Sequence, residues 1–129
     1  MDGSSIPFGI LRMFTVLAFF MMYAGGPVTA QSVDQLTLQQ EKELTVFGIK
    51  GGLNMDVSVD EIKNRLPKAD LEELIATGIN GNSFLCATVL EVRPLTLKSK
   101  YEVTCIAYRG GSGRKTYVID ALNGIAFEQ

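Results

Sequence analysis

The sequence predicts an α+β domain: two short helices packed on a four-stranded antiparallel sheet and held by one disulfide. Three observations lead there. Residues 83–129 alternate strand-forming runs with Gly, Pro and Asn turns. Two capping boxes with short apolar stripes stand just before them. The only two cysteines, Cys86 and Cys105, fall on the first two of the expected strands.

Residues 1–30 read as a secretory signal peptide. Arg12 supplies the basic side, residues 13–23 are apolar apart from Thr15, and Gly25-Gly26-Pro27 breaks the helix before Val28-Thr29-Ala30. Cleavage is expected between Ala30 and Gln31. The rival is an uncleaved anchor, because residues 6–24 carry one charge and approach the length of a spanning helix. Contact with a membrane is expected only in that case.

Residues 31–55 are polar at first and then keep no clean helical or alternating period. Gly48, Gly51 and Gly52 lie close together, and the stretch reads as a mobile lead segment, either a plain linker or a partner-binding arm. The folded domain is expected over residues 56–129.

Ser58-Val59-Asp60-Glu61 is a capping box, and Val59, Ile62 and Leu66 share one face, so a helix is expected over residues 58–66. Pro67 stops it. Asp70-Leu71-Glu72-Glu73 is a second box. Leu71, Leu74 and Ile75 form its stripe, and Gly78 stands where a helix closes in the left-handed conformation, giving a helix over residues 70–77. The acidic residues Asp60, Glu61, Asp70, Glu72 and Glu73 read as capping and solvated surface, with a binding face as the alternative.

Asn80-Gly81-Asn82 is a turn signal. Strands are expected over residues 83–92, 100–108, 116–120 and 125–127. In the second, Tyr101, Val103, Cys105 and Ala107 alternate with Glu102, Thr104 and Ile106. Setting Cys86 opposite Cys105 puts Phe84 opposite Ala107, Thr88 opposite Val103, Leu90 opposite Tyr101 and Glu91 opposite Lys100, with Pro94 in the turn. Asn123-Gly124 makes the last tight turn. In an exported chain an even cysteine count reads as a disulfide. A loop of this size contributes about 3 kcal/mol, which matters to so small a core.

Composition narrows the function. Net charge is −2 with no clustered basic excess, so no nucleic-acid partner is expected. The chain has no histidine, the commonest general base and metal ligand. No catalytic, cofactor-binding or metal-binding set emerges. Arg109-Gly110-Gly111-Ser112-Gly113-Arg114-Lys115-Thr116 departs from a phosphate loop, which would need glycines at 109 and 114 and a following helix. Its amides with Arg109, Arg114 and Lys115 form a candidate anion-binding loop, against the plainer reading of a solvated hairpin tip. Ser112 and Lys115 match S-x-x-K, but in a Gly-rich loop rather than at a helix start in a cleft.

Tyr101-Glu102-Val103 followed by Tyr117-Val118-Ile119-Asp120-Ala121-Leu122-Asn123-Gly124 resembles the ending of PepSY-type domains, with its "YEV" strand and "y-v-v-D-a-x-x-G" hairpin. The resemblance covers residues 89–127. It implies a helix packed on an antiparallel sheet, with Asp120 and Gly124 as structural turn positions, and roles in restraining peptidases or sensing at the cell envelope. The chain departs from the pattern in the break at Pro67, in its cysteine pair and in having no attached peptidase domain. Together these readings lead to the expectation of an exported, non-catalytic binding module with an envelope protein as partner. A structural or adaptor subunit is the alternative, and a small hydrolase a lesser one. The oligomeric state is left open.

Overall fold

A computed structural model describes residues 33–129; the expected signal peptide and its cleavage point at Ala30 and Gln31 lie outside them. Two helices cover one face of a four-stranded antiparallel meander, and Cys86 and Cys105 form a disulfide. The helices are α1 (Leu38–Gly52) and α2 (Lys68–Gly81). The strands are β1 (Thr88–Pro94), β2 (Lys100–Ile106), β3 (Arg114–Asp120) and β4 (Ile125–Glu128), in that order across the sheet.

The helix α1 replaces the expected lead segment. Thr37 starts it: its Oγ1 accepts from Gln40 N–H at 3.1 Å, and Gln40 Oε1 accepts from Thr37 N–H at 2.9 Å. Leu44 and Phe47 are fully buried in the core, joined from upstream by Val33 and Leu36. The helix closes with Asn54 in the left-handed conformation at φ 57°, and the Ile49 carbonyl accepts from both Leu53 and Met55 N–H. The three glycines sit inside the helix rather than in turns. A Cβ on Gly48 would come within 2.6 Å of the Leu74 carbonyl oxygen on α2, and one on Gly81 would stand 2.8 Å from the Gly51 carbonyl carbon. Glycine weakens a helix interior by roughly 1 kcal/mol, but here it lets two backbones approach where side chains could not fit.

The expected helix over 58–66 is a single 3-10 turn, Val59–Glu61, after which Ile62 is extended at ψ 107°. No residue of the turn is buried, and Ile62 and Leu66 are half-buried. So short a helix is marginal without an apolar face to bury. The second helix is longer than expected at both ends. Pro67 is its N-cap residue, and the Pro67 carbonyl accepts from Leu71 N–H at 3.0 Å. Gly78 does not end it but packs under the Phe47 ring. Asn80-Gly81-Asn82 is the helix end; the Asn80 side chain ties it to the segment before β1, and the Asn82 side chain ties it to β4 and the turn before it. Asn80 exchanges two 2.9 Å hydrogen bonds with the Cys86 backbone. Asn82 donates to the Gly78 and Gly124 carbonyls and accepts from Ala126 N–H at 3.1 Å.

Alternation in β2 is as expected: Tyr101, Val103 and Cys105 face the helices and are buried, while Glu102, Thr104 and Ile106 face outward. The register with β1 differs. Val89, not Cys86, lies opposite Cys105; after a bulge at Leu90 the pairs become Glu91 with Thr104, Arg93 with Glu102 and Pro94 with Tyr101. The expected pairs Phe84–Ala107, Thr88–Val103, Leu90–Tyr101 and Glu91–Lys100 are absent. Cys86 precedes the strand and reaches Cys105 with a Cα separation of 5.3 Å, so the disulfide ties an irregular segment to the sheet instead of setting the ladder. The opposite charges still pair: Arg93 meets Glu102, and Lys100 meets Asp120 on β3 at 3.1 Å. The strands β3 and β4 match expectation within two residues. Between them the 3-10 turn Ala121–Asn123 ends at Gly124, whose φ of 70° is the left-handed conformation foreseen for it.

Candidate functional site

Two surfaces have shape and chemistry suited to recognition. The first is the outer face of the sheet, set entirely by register. One row runs Arg93, Glu102, Val118, Phe127 across all four strands, and a second runs Lys100, Asp120, Ile125. The row is charged and ion-paired at the β1 end and apolar at the β4 end. Phe127 is 54% exposed and Ile125 42% exposed.

The edges beside this face are blunted. Leu95 N–H donates to the Lys100 carbonyl at 3.0 Å, so the alternation along β1 turns the backbone groups of Val92 and Pro94 toward the free edge, and Pro94 has no N–H to offer. The bulge at Leu90 interrupts the rest of that edge. On β4, Gln129 N–H donates to the Thr116 carbonyl, which leaves the backbone groups of Ala126 and Glu128 toward the free edge, and Asn82 already takes the Ala126 N–H.

The second surface is a cleft of about 460 Å³ beside the C-terminal half of α1. Val46, Val57, Val59 and Leu122 give it apolar walls, and Lys50, Asp56, Asp60 and Glu61 give it charge. Lys50 Nζ donates to the Leu122 carbonyl at 2.8 Å and lies 3.7 Å from Asp56. Glu61 Oε1 accepts from Ser58 N–H at 3.0 Å, half of the capping box read in the sequence.

The candidate anion-binding loop is the β2–β3 connection. Arg109, Arg114 and Lys115 are all exposed there, but they do not converge as free cations: Lys115 donates to Glu128 at 2.9 Å. The hydrogen bond to Glu128 and its charge raise the Lys115 pKa. Ser112 is exposed in the same loop. The acidic residues disperse: Asp60 and Glu61 line the cleft by α1, whereas Glu72 and Glu73 line a separate one against Ala87, Thr88 and Val89.

The turn residue Asp120 accepts from Asn123 Nδ2 at 2.8 Å and from Lys100. Burial opposes its ionisation, but the hydrogen bonds from Asn123 and Lys100 and the Lys100 charge outweigh that and hold its carboxyl below the ordinary range.

One polar constellation has no counterpart in the sequence reading. Glu43 is buried on α1, and its Oε1 accepts from the Tyr101 hydroxyl of β2 at 2.7 Å. Burial, then the hydrogen bond to Glu43 and its charge, push the Tyr101 phenol well above its usual range. The neighbouring Glu41, also buried, accepts from Arg65 Nε at 2.9 Å. These carboxylates tie α1 to the sheet and to the strap before α2. Two apart on a helix, the two carboxylates leave on different faces, so nothing in their spacing advertises either contact.

Among the described residues no group of three or more Cys, Asp or Glu is placed to hold a metal ion, and no helix is long and apolar enough to cross a membrane. No protein-family model, curated protein or solved structure matches the chain.

Proposed function

We propose that the chain is an exported, non-catalytic binding module of the cell envelope that engages a protein partner through the outer face of its sheet. The observation that carries this reading is the pairing of an open face, apolar at Phe127, Ile125 and Val118, with two edges that offer few free backbone groups. Exposed aromatic and aliphatic residues with a polar rim are the usual composition of a recognition patch. Strand addition, the other route open to a small sheet, finds little to pair with at either edge. The buried disulfide supports folding in an oxidising compartment, and hence export after cleavage between Ala30 and Gln31. Restraint of a peptidase is the specific role suggested by the PepSY resemblance of residues 89–127.

The test is affinity capture of the full chain from its native envelope fraction after mild cross-linking, run beside Phe127→Asp. One peptidase recovered in stoichiometric amount, and lost with the variant, is the expected result. Its activity with and without the module is then the decisive assay. Recovery of the chain alone, or of structural envelope components unaffected by the variant, would replace this reading with an assembly role.

A further inference from the structure

The cleft beside α1 belongs to no strand and is separate from the sheet face. Its base is Val46, 1% exposed, and its walls are the half-buried Val57, Val59 and Leu122. Three carboxylates face one ammonium along its rim. That ammonium, Lys50, is already held by the Leu122 carbonyl and stands near Asp56. One Glu61 oxygen is held by Ser58 N–H, and Asp60 has no partner among the described residues. The lining is therefore apolar in depth and negative at its mouth.

From this we infer that the cleft receives a lysine or arginine side chain presented on a peptide segment of a partner protein. Such a side chain has both halves of the complement: an aliphatic stem for Val46, Val57, Val59 and Leu122, and a cationic head for Asp60 and Asp56. A neutral apolar side chain would fill the walls and leave the carboxylates unanswered, and an acidic one would meet like charge. The volume is that of a ligand site rather than of a packing defect, with room for a residue flanking the basic one. The inference rests on the binding-module reading only in taking the ligand from a partner protein. It uses none of the sheet-face residues, so the two can fail separately.

The experiment is a titration of the isotopically labelled chain, followed by amide NMR shifts, with three blocked pentapeptides: acetyl-Ala-Val-Arg-Val-Ala-amide and its Gln and Glu counterparts at the central position. The Arg peptide is expected to shift the amides of Val46, Val57, Val59 and Leu122 saturably. The Gln and Glu peptides should bind at least about tenfold more weakly. The double variant Asp56→Asn, Asp60→Asn should weaken the Arg peptide by at least about tenfold, and so should about 0.5 M salt. Both positions are exposed, so the variant keeps its fold, and Glu72→Gln with Glu73→Gln on the other cleft should change nothing. Equal binding of the Arg and Gln peptides, undiminished binding to the double variant, or the absence of saturable shifts at these amides would overturn the inference. None of these results would bear on capture through the sheet face.

Discussion

In the sheet half of this domain, contact is made by side chains; in the helical half, the closest contact is made by their absence. The strand β2 buries Tyr101, Val103 and Cys105 on alternate positions, a pattern that any strand with one covered face must show. The helices α1 and α2 instead meet through Gly48 and Gly51 against Leu74, Gly78 and Gly81, with Phe47 filling the space over Gly78. A strand that loses one inward side chain still has its ladder. A helix pair that gains one methyl at the seam must move apart, because much of what the methyl would strike is backbone.

The widest separation between the halves is expected from alanine at glycine positions. At Gly81 a Cβ runs into the backbone of Gly51, so Gly81→Ala should cost more than about 3 kcal/mol in urea unfolding, the upper range for overpacking. Gly113, in the sheet half, has nothing within 4 Å of such a Cβ, and Gly113→Ala should be neutral to within about 0.5 kcal/mol. Similar costs at both sites would show that the seam relaxes and that the close approach of the helices is not what stabilises them.

This contrast also explains what could be read from the sequence. Tyr101, Val103 and Cys105 advertise a strand, Asn123-Gly124 advertises a left-handed turn, and Leu71 and Ile75 advertise a helix; all three are observed. The glycines at 48, 51 and 52 read as helix-breaking because their role depends on a partner helix about thirty residues away, which local propensity does not register. The β1–β2 register was missed for a related reason. The bulge at Leu90 inserts a residue that no alternation reveals, and Cys86 bridges to the sheet from outside the ladder. Of the candidate surfaces, the sheet face followed in part from outward-facing residues of correctly read strands. The cleft by α1 brings Val46, Val57 and Leu122 together from three distant segments and was not legible.

The disulfide gives the next largest effect and sharpens the comparison from the other side. It spans 19 residues and fastens the segment before β1 to β2. The double variant Cys86→Ala, Cys105→Ala should lose about 3 kcal/mol if chain entropy dominates. The dispersion of amide shifts on α1 and α2 should survive, because the glycine seam does not involve the cysteines. Collapse of the helical signals together with those of the sheet would mean that the halves do not hold their structure independently.

The link between the halves comes next. Tyr101→Phe leaves the buried Glu43 without its hydroxyl donor and should cost about 1 to 3 kcal/mol. It also carries an alkaline signature. Because the folded phenol is raised, the unfolded state loses its proton first, and wild-type stability should fall as pH rises above the ordinary tyrosine value near 10. The variant should lack that component. An identical alkaline decline in both proteins would remove Tyr101 as its source.

The smallest effect belongs to the turn at Asp120, where an ordinary surface-type ion pair supports a backbone that Gly124 already shapes. Asp120→Asn gives up the Lys100 charge contact while keeping an acceptor for Asn123, and about 1 kcal/mol is expected at neutral pH. Its pH dependence runs opposite to that of Tyr101. The folded carboxyl is depressed, so its stabilisation is complete above the unfolded value of 3.8 and fades as pH falls through the folded one. Thermal unfolding of the two proteins should therefore differ at neutral pH and converge in acid. A gap that persists unchanged in acid would assign the loss to turn geometry rather than to charge, and would make this corner of the sheet resemble the helical seam, where shape alone decides.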